Sequence, residues 1–159
     1  MYTGPHIITD GLVLTLDAAS PRSYPGSGTV WKDLSGNGYN GTLTNGPTFD
    51  SGIGGSIVFD GTNDRVVQTG LGLSFTSFSI EATIKPASNN GGYNAIISTT
   101  LGTNSDYQYG LNWDLGPNSS TSFNVMNLEI SRNFGGFYNR DVMTSSFPFN
   151  TWTHLFLTV

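Results

Sequence analysis

Phe78-Ser79-Ile80-Glu81-Ala82-Thr83-Ile84-Lys85 is the stretch that decides the fold class. Side chains alternate along a strand, so Phe78, Ile80, Ala82 and Ile84 share one face, and Ser79, Glu81, Thr83 and Lys85 the other. One apolar face and one polar face mark an antiparallel sheet laid on a core, with its other side in water. Pro86 ends the strand because it has no N–H to give to a ladder.

Similar chemistry recurs on both sides of this stretch. Leu12-Val13-Leu14-Thr15-Leu16-Asp17 is a continuous β-prone run and predicts a strand buried on both faces. Trp31 heads a short segment, and Thr42-Leu43-Thr44 predicts a short strand. Residues 56–60 and 65–68, separated by a tight turn, predict a hairpin. Further strands are predicted at residues 94–98, 107–113, 123–130 and 151–159. The last of these is apolar on both faces from Trp152 onward, which predicts a central strand. Ser35-Gly36-Asn37-Gly38 and Asn45-Gly46-Pro47 predict turns, since Gly and Asn accept positive φ. No segment keeps a helical period. About nine or ten short strands in this pattern favour a sandwich or barrel.

The bulk properties agree with one domain. A chain of 159 residues leaves no room for a second core of useful size. Charged residues are only 11%, and 10 Phe, 7 Tyr and 3 Trp need burial, so disorder is a poor reading. The net charge is -5, and Arg22, Lys32, Arg65, Lys85, Arg132 and Arg140 are scattered, which argues against a phosphate-tracking nucleic-acid surface. With no Cys and only His6 and His154, a structural zinc site is excluded, and nothing points to a nucleotide. No apolar stretch approaches the ~20 residues of a membrane span. Met1-Tyr2-Thr3-Gly4-Pro5 lacks the basic and apolar regions of a signal peptide and reads as a true start.

Three stretches together resemble the laminin G-like branch of the concanavalin A-like lectin/glucanase superfamily. They are residues 11–18 (Gly-Leu-Val-Leu-Thr-Leu-Asp-Ala), residues 31–43 (Trp-Lys-Asp-Leu-Ser-Gly-Asn-Gly-Tyr-Asn-Gly-Thr-Leu) and residues 55–64 (Gly-Ser-Ile-Val-Phe-Asp-Gly-Thr-Asn-Asp). Residues 75–86 look like the family's next strand, and Asn150-Thr151-Trp152-Thr153-His154 like the start of a later one. The resemblance implies a two-sheet antiparallel jelly-roll sandwich, one domain over residues 1–159. In the family more strands follow, so the resemblance implies a domain truncated at its C-terminal end. The opening block, residues 3–29, is similar to versions common in structural proteins of marine bacteriophages, cyanophages especially. Fold-level likeness says where such domains occur, not what they bind.

The candidate chemistry is modest. Glucanases of this fold carry paired carboxyls, since retaining cleavage needs two of them ~5–5.5 Å apart. Here Glu81 and Glu129 are the only Glu, in separate strands without a partnering acid motif, and no Ser-His-acid elbow is present. No catalytic residue is expected, and the chain does not read as an enzyme. Calcium suits loop carboxylates and carbonyls. Many laminin G-like domains hold one calcium at the sandwich rim, and the resemblance points to Asp17, Asp60 and Asp64; the same Asp residues also suit turn capping. Sugars stack on exposed rings beside amides and carboxylates. Phe134, Phe137 and Tyr138, among Gly135, Gly136 and Asn139, read as a loop of displayed rings for a glycan. Tyr107, Tyr109 and Trp113 share a strand face that equally suits core packing.

The leading expectation is therefore a non-enzymatic phage virion protein, a capsid decoration or fibre protein with a lectin-like adhesion domain. Its partners would be phage capsid or tail proteins and host-surface glycans. It would be multimeric and assembled in a host cytoplasm. The alternative is a calcium-dependent carbohydrate-binding module of a larger secreted or surface protein.

Overall fold

Short β-prone segments punctuated by Gly and Asn become short antiparallel strands. The computed structural model describes residues 8–71, 77–87, 94–98, 109–116, 125–132, 137–143 and 148–158; for Asn94 and for residues 109–143 this is a description of backbone alone. Among them there is no α-helix, and every strand pairing is antiparallel. The chain divides into two compact units, Met1–Ser74 and Phe75–Val159.

Among the described residues the first unit holds five short strands. These are β1 (Val30–Trp31), β2 (Gly41–Thr44), β3 (Thr48–Asp50), β4 (Ser56–Val58) and β5 (Arg65–Val67). β2 is central to a three-stranded sheet of order β1-β2-β5, and β3 pairs with β4. The expected hairpin of residues 56–60 with 65–68 does not form. β4 folds back onto β3 instead, and β5 joins β2 in the register Leu43↔Val66. Gly41 explains part of this choice: a Cβ there would stand 2.6 Å from the Val66 Cγ1, so only glycine lets Val66 lie over β2. Tyr24 and Leu43 are buried, and the Tyr24 ring packs on Phe49 with centroids 5.5 Å apart.

Residues 12–17 differ from expectation in a more instructive way. They form no ladder with another strand. Every residue from Leu12 to Leu16 is half-buried, as a run covered on both sides would be, but its backbone partners come from a loop.

The second unit holds β6 (Ser79–Ile84), β7 (Asn94–Ser98), β8 (Tyr109–Gly116), β9 (Val125–Arg132), β10 (Phe137–Met143) and β11 (Thr153–Thr158). β10-β9-β8-β7 form a four-stranded sheet, and β11 pairs with β6. The alternation of residues 78–85 is realised in full. Ile80, Ala82 and Ile84 are half-buried, while Ser79, Glu81 and Thr83 are exposed. β11 matches it: Leu155 and Leu157 are buried opposite Ala82 and Ile80, each worth roughly 1.5–3 kcal/mol of transfer free energy. The expectation of a strand apolar on both faces is corrected. His154, Phe156 and Thr158 are exposed, so β11 has one dry face and one wet face. Among the described residues no helix is long and apolar enough to cross a membrane.

Candidate functional site

The most fully built loop system surrounds Asp33. Its carboxylate accepts four hydrogen bonds: the N–H of Thr15 (3.0 Å) and Ser35 (2.8 Å) on Oδ1, and the Ser35 hydroxyl (2.7 Å) and Tyr39 N–H (3.1 Å) on Oδ2. The Leu34 N–H donates to the Thr15 carbonyl at 2.9 Å. Asn37 Nδ2 lies 3.0 Å from the carbonyls of both Leu12 and Val13. The loop's short polar side chains thus take the place of a neighbouring strand for residues 12–17. Burial works to raise the Asp33 carboxyl, but the hydrogen bonds from Ser35, Thr15 and Tyr39 outweigh it and hold the group below its ordinary value.

Ser23 extends the same system. It is 1% exposed. Its hydroxyl accepts the Asp17 N–H at 3.1 Å and donates to the Lys32 carbonyl. The Asp17 carboxylate accepts the Ala19 N–H at 2.9 Å, which is a turn cap.

Asp60 and Asp64 meet in one turn. The Asp60 carboxylate accepts the Thr62 N–H at 2.8 Å, and the Asp64 carboxylate accepts the Asp60 N–H at 3.0 Å. The N–H of Thr62 does most to hold the Asp60 carboxyl below its ordinary value, with Asn63 and Asp64 adding to it. Asp64 Oδ1 is buried without a hydrogen-bond partner. Asp17 does not complete a three-carboxylate set with them: among the described residues no three His, Cys, Asp or Glu stand together as metal ligands.

Of the expected ring loop, Phe134 lies outside the described residues. Phe137 and Tyr138 open β10 rather than a loop, in register with Ser131 and Ile130. Being consecutive in a strand, they belong to opposite faces of the sheet and do not share one surface. Tyr109 and Trp113 occupy β8, and Tyr107 lies outside the described residues.

The wet face of β6, expected from the alternation of residues 78–85, is joined in the structure by the wet face of β11. Pairing sets Glu81 opposite Phe156 and Thr83 opposite His154. Thr83 Oγ1 lies 3.1 Å from His154 Nδ1, and His154 Nε2 lies 3.8 Å from Glu81 Oε2. Both partners of the wider contact are well exposed, so its net contribution to stability is small. The signal was the WTH tripeptide itself, whose histidine falls on the same strand face as Phe156.

Among the described residues the protein is all-β, built of small antiparallel sheets, with loops knit by carboxylates. Compared with known protein families, with curated proteins and with solved structures, the chain finds no match.

Proposed function

We propose that this chain is a non-enzymatic virion structural protein of a phage, a capsid decoration or fibre protein carrying a concanavalin A-like, laminin G-like jelly roll for adhesion. The observation that most supports this reading is the use made of the carboxylates. Asp33 and Asp60 are held below their ordinary values by backbone donors, so both are ionised near neutral pH and committed to fixing loops. A general acid needs the opposite shift. Loops fixed in this way make a rigid display scaffold. Many copies on one particle then gain avidity from weak single sites. The partners are capsid or tail proteins on one side and host-surface glycans on the other. Antibody raised against the chain is expected to decorate purified phage particles in immunogold electron microscopy. Bare particles, with the antigen found in a host's secreted fraction, would overturn the virion assignment.

A calcium-dependent carbohydrate-binding module of a larger secreted or surface protein is the second reading. It rests on Asp64 Oδ1, a buried carboxylate oxygen with no donor, to which a cation would give a partner. Millimolar calcium would then raise the melting temperature and EDTA reverse it; identical melts in both remove this reading.

A further inference from the structure

The wet face of β6 and β11 carries a feature that a purely solvated face does not need. Phe156 is 63% exposed in the middle of a strand, where a large ring is ordinarily turned to a core. Alternation continued one residue before β11 puts Trp152, 38% exposed, on the same side as His154 and Phe156. Between and across from these rings stand hydrogen-bonding groups. Glu81 is opposite Phe156, Thr83 is opposite His154, and Ser79 Oγ meets Thr158 Oγ1 at 3.2 Å. An interface core with a protein would call for contiguous apolar area, with charge kept to the rim. Isolated rings set among carboxylate, imidazole and hydroxyl groups fit a ligand that is apolar on one face and hydroxylated at its edge.

The Glu81–His154 gap strengthens the case. At 3.8 Å it is too wide for a hydrogen bond. His154 Nε2 and the Glu81 carboxylate are both well exposed and not hydrogen-bonded to each other, so both are open to a pair of hydroxyl partners; the carboxylate accepts, and Nε2 accepts or donates according to its tautomer. Two adjacent hydroxyls of one sugar ring supply such a pair. Residues two apart on a strand lie about 6.8 Å apart, so a sugar stacked on Phe156 brings its edge hydroxyls toward Glu81 and His154. Trp152, one residue before β11, would lie about 14 Å from Phe156 if the extended run continues, room for a further sugar.

We propose that the exposed face of β6 and β11 is an oligosaccharide-binding surface. Phe156 and Trp152 are its stacking platforms, and the Glu81–His154 pair takes adjacent hydroxyls. The proposal rests on the adhesive reading above and names the site at which it operates.

The test is a printed array of microbial, algal and plant oligosaccharides, followed by calorimetry of the full chain with the strongest binder. Phe156→Ala is expected to weaken binding about tenfold. Glu81→Gln should weaken it by a similar factor, and the pair Phe137→Ala with Tyr138→Ala should leave it unchanged. Thr158→Arg, which crowds Phe156 without removing it, is expected to block binding and guards against misfolding of the alanine variant. Array binding that survives both Phe156→Ala and Thr158→Arg overturns this site and leaves adhesion standing. A wild-type chain that binds no glycan overturns both. A Phe156→Ala change that turns an oligomer into a monomer in sedimentation, with glycan binding intact, makes the face a contact between copies instead and overturns the proposal.

Discussion

The Thr15 N–H donates to Asp33 Oδ1 at 3.0 Å across 18 residues of sequence, and the Leu34 N–H returns to the Thr15 carbonyl at 2.9 Å. A loop carboxylate and its neighbouring backbone thereby hold an extended run as a strand partner would. Asp33→Asn keeps the shape but offers an NH₂ group where N–H and O–H donors already point. The expected loss is about 1–3 kcal/mol in urea unfolding, since donors in a half-buried loop are left without an acceptor. An unchanged midpoint would show that the loop is not fastened through this residue.

The same carboxylate sets a pH dependence. Asp33 and Asp60 have folded values below 3.8. Each therefore adds stability above about pH 4 that is lost as the pH falls through the folded value. Acid unfolding followed by tryptophan fluorescence is expected to be shallower in Asp33→Asn than in the wild type below about pH 4. Superimposable acid limbs would count against the assignment.

How far the sequence shows this architecture depends on whether the information is local. The period-two pattern of residues 78–85 is local, and β6 follows it residue by residue. Asn45 and Gly46 are likewise legible, and both take positive φ in the structure. Residues 12–17 look the same whether their partner is a strand or a set of Asp, Ser and Asn side chains; the density of short polar residues at Asp33, Ser35 and Asn37 is the only hint. What draws β5 away from β4 is non-local, because its partner β2 lies about twenty residues earlier in the chain. β10 pairs locally with β9, but Gly135 and Gly136 suggest a loop that runs on, whereas the pairing already begins at Phe137. Within the candidate face, Glu81 was legible as exposed. Its neighbour Phe156 was not, because Trp152, Leu155, Phe156 and Leu157 together read as buried on both sides.

Ser23 offers a sharper test of the loop system. Its hydroxyl is buried, accepting from Asp17 and donating to Lys32. Ser23→Ala removes both bonds and leaves the part-buried Asp17 N–H and Lys32 carbonyl without this partner, at an expected cost of about 1–3 kcal/mol. Ser23→Thr adds a methyl to a packed site and is expected to rescue only part of it. Equal stability of all three proteins by denaturant unfolding would refute the role.

The β3–β4 connection sets two opposite effects side by side. Ile53 is 85% exposed with φ 51 and ψ 38, a left-handed conformation that a β-branched residue adopts at a cost. Ile53→Asn is expected to stabilise by about 1 kcal/mol, because Asn tolerates that region and little burial is lost. Gly55 has φ 128, and a Cβ there would meet the Ala18 carbonyl oxygen at 2.7 Å. Gly55→Ala combines strain with a clash against backbone and is expected to cost about 3 kcal/mol or more. Calorimetric melts moving in the same direction for both variants would contradict this account.

Leu155 and Phe156 are adjacent in β11 and differ in everything but sequence position. Leu155 is 7% exposed opposite Ala82, and Phe156 is 63% exposed opposite Glu81. Leu155→Ala leaves a cavity on the dry face and is expected to destabilise by about 2–4 kcal/mol. Phe156→Ala removes a ring already in water, and its expected effect on unfolding is within about 0.5 kcal/mol. The comparison separates what holds the strand from what the strand displays. A large loss in Phe156→Ala would mean that the ring is part of the packing, and its exposure would then carry no functional meaning. A small loss shows that the ring takes no part in the packing, which is the condition the proposed stacking role requires.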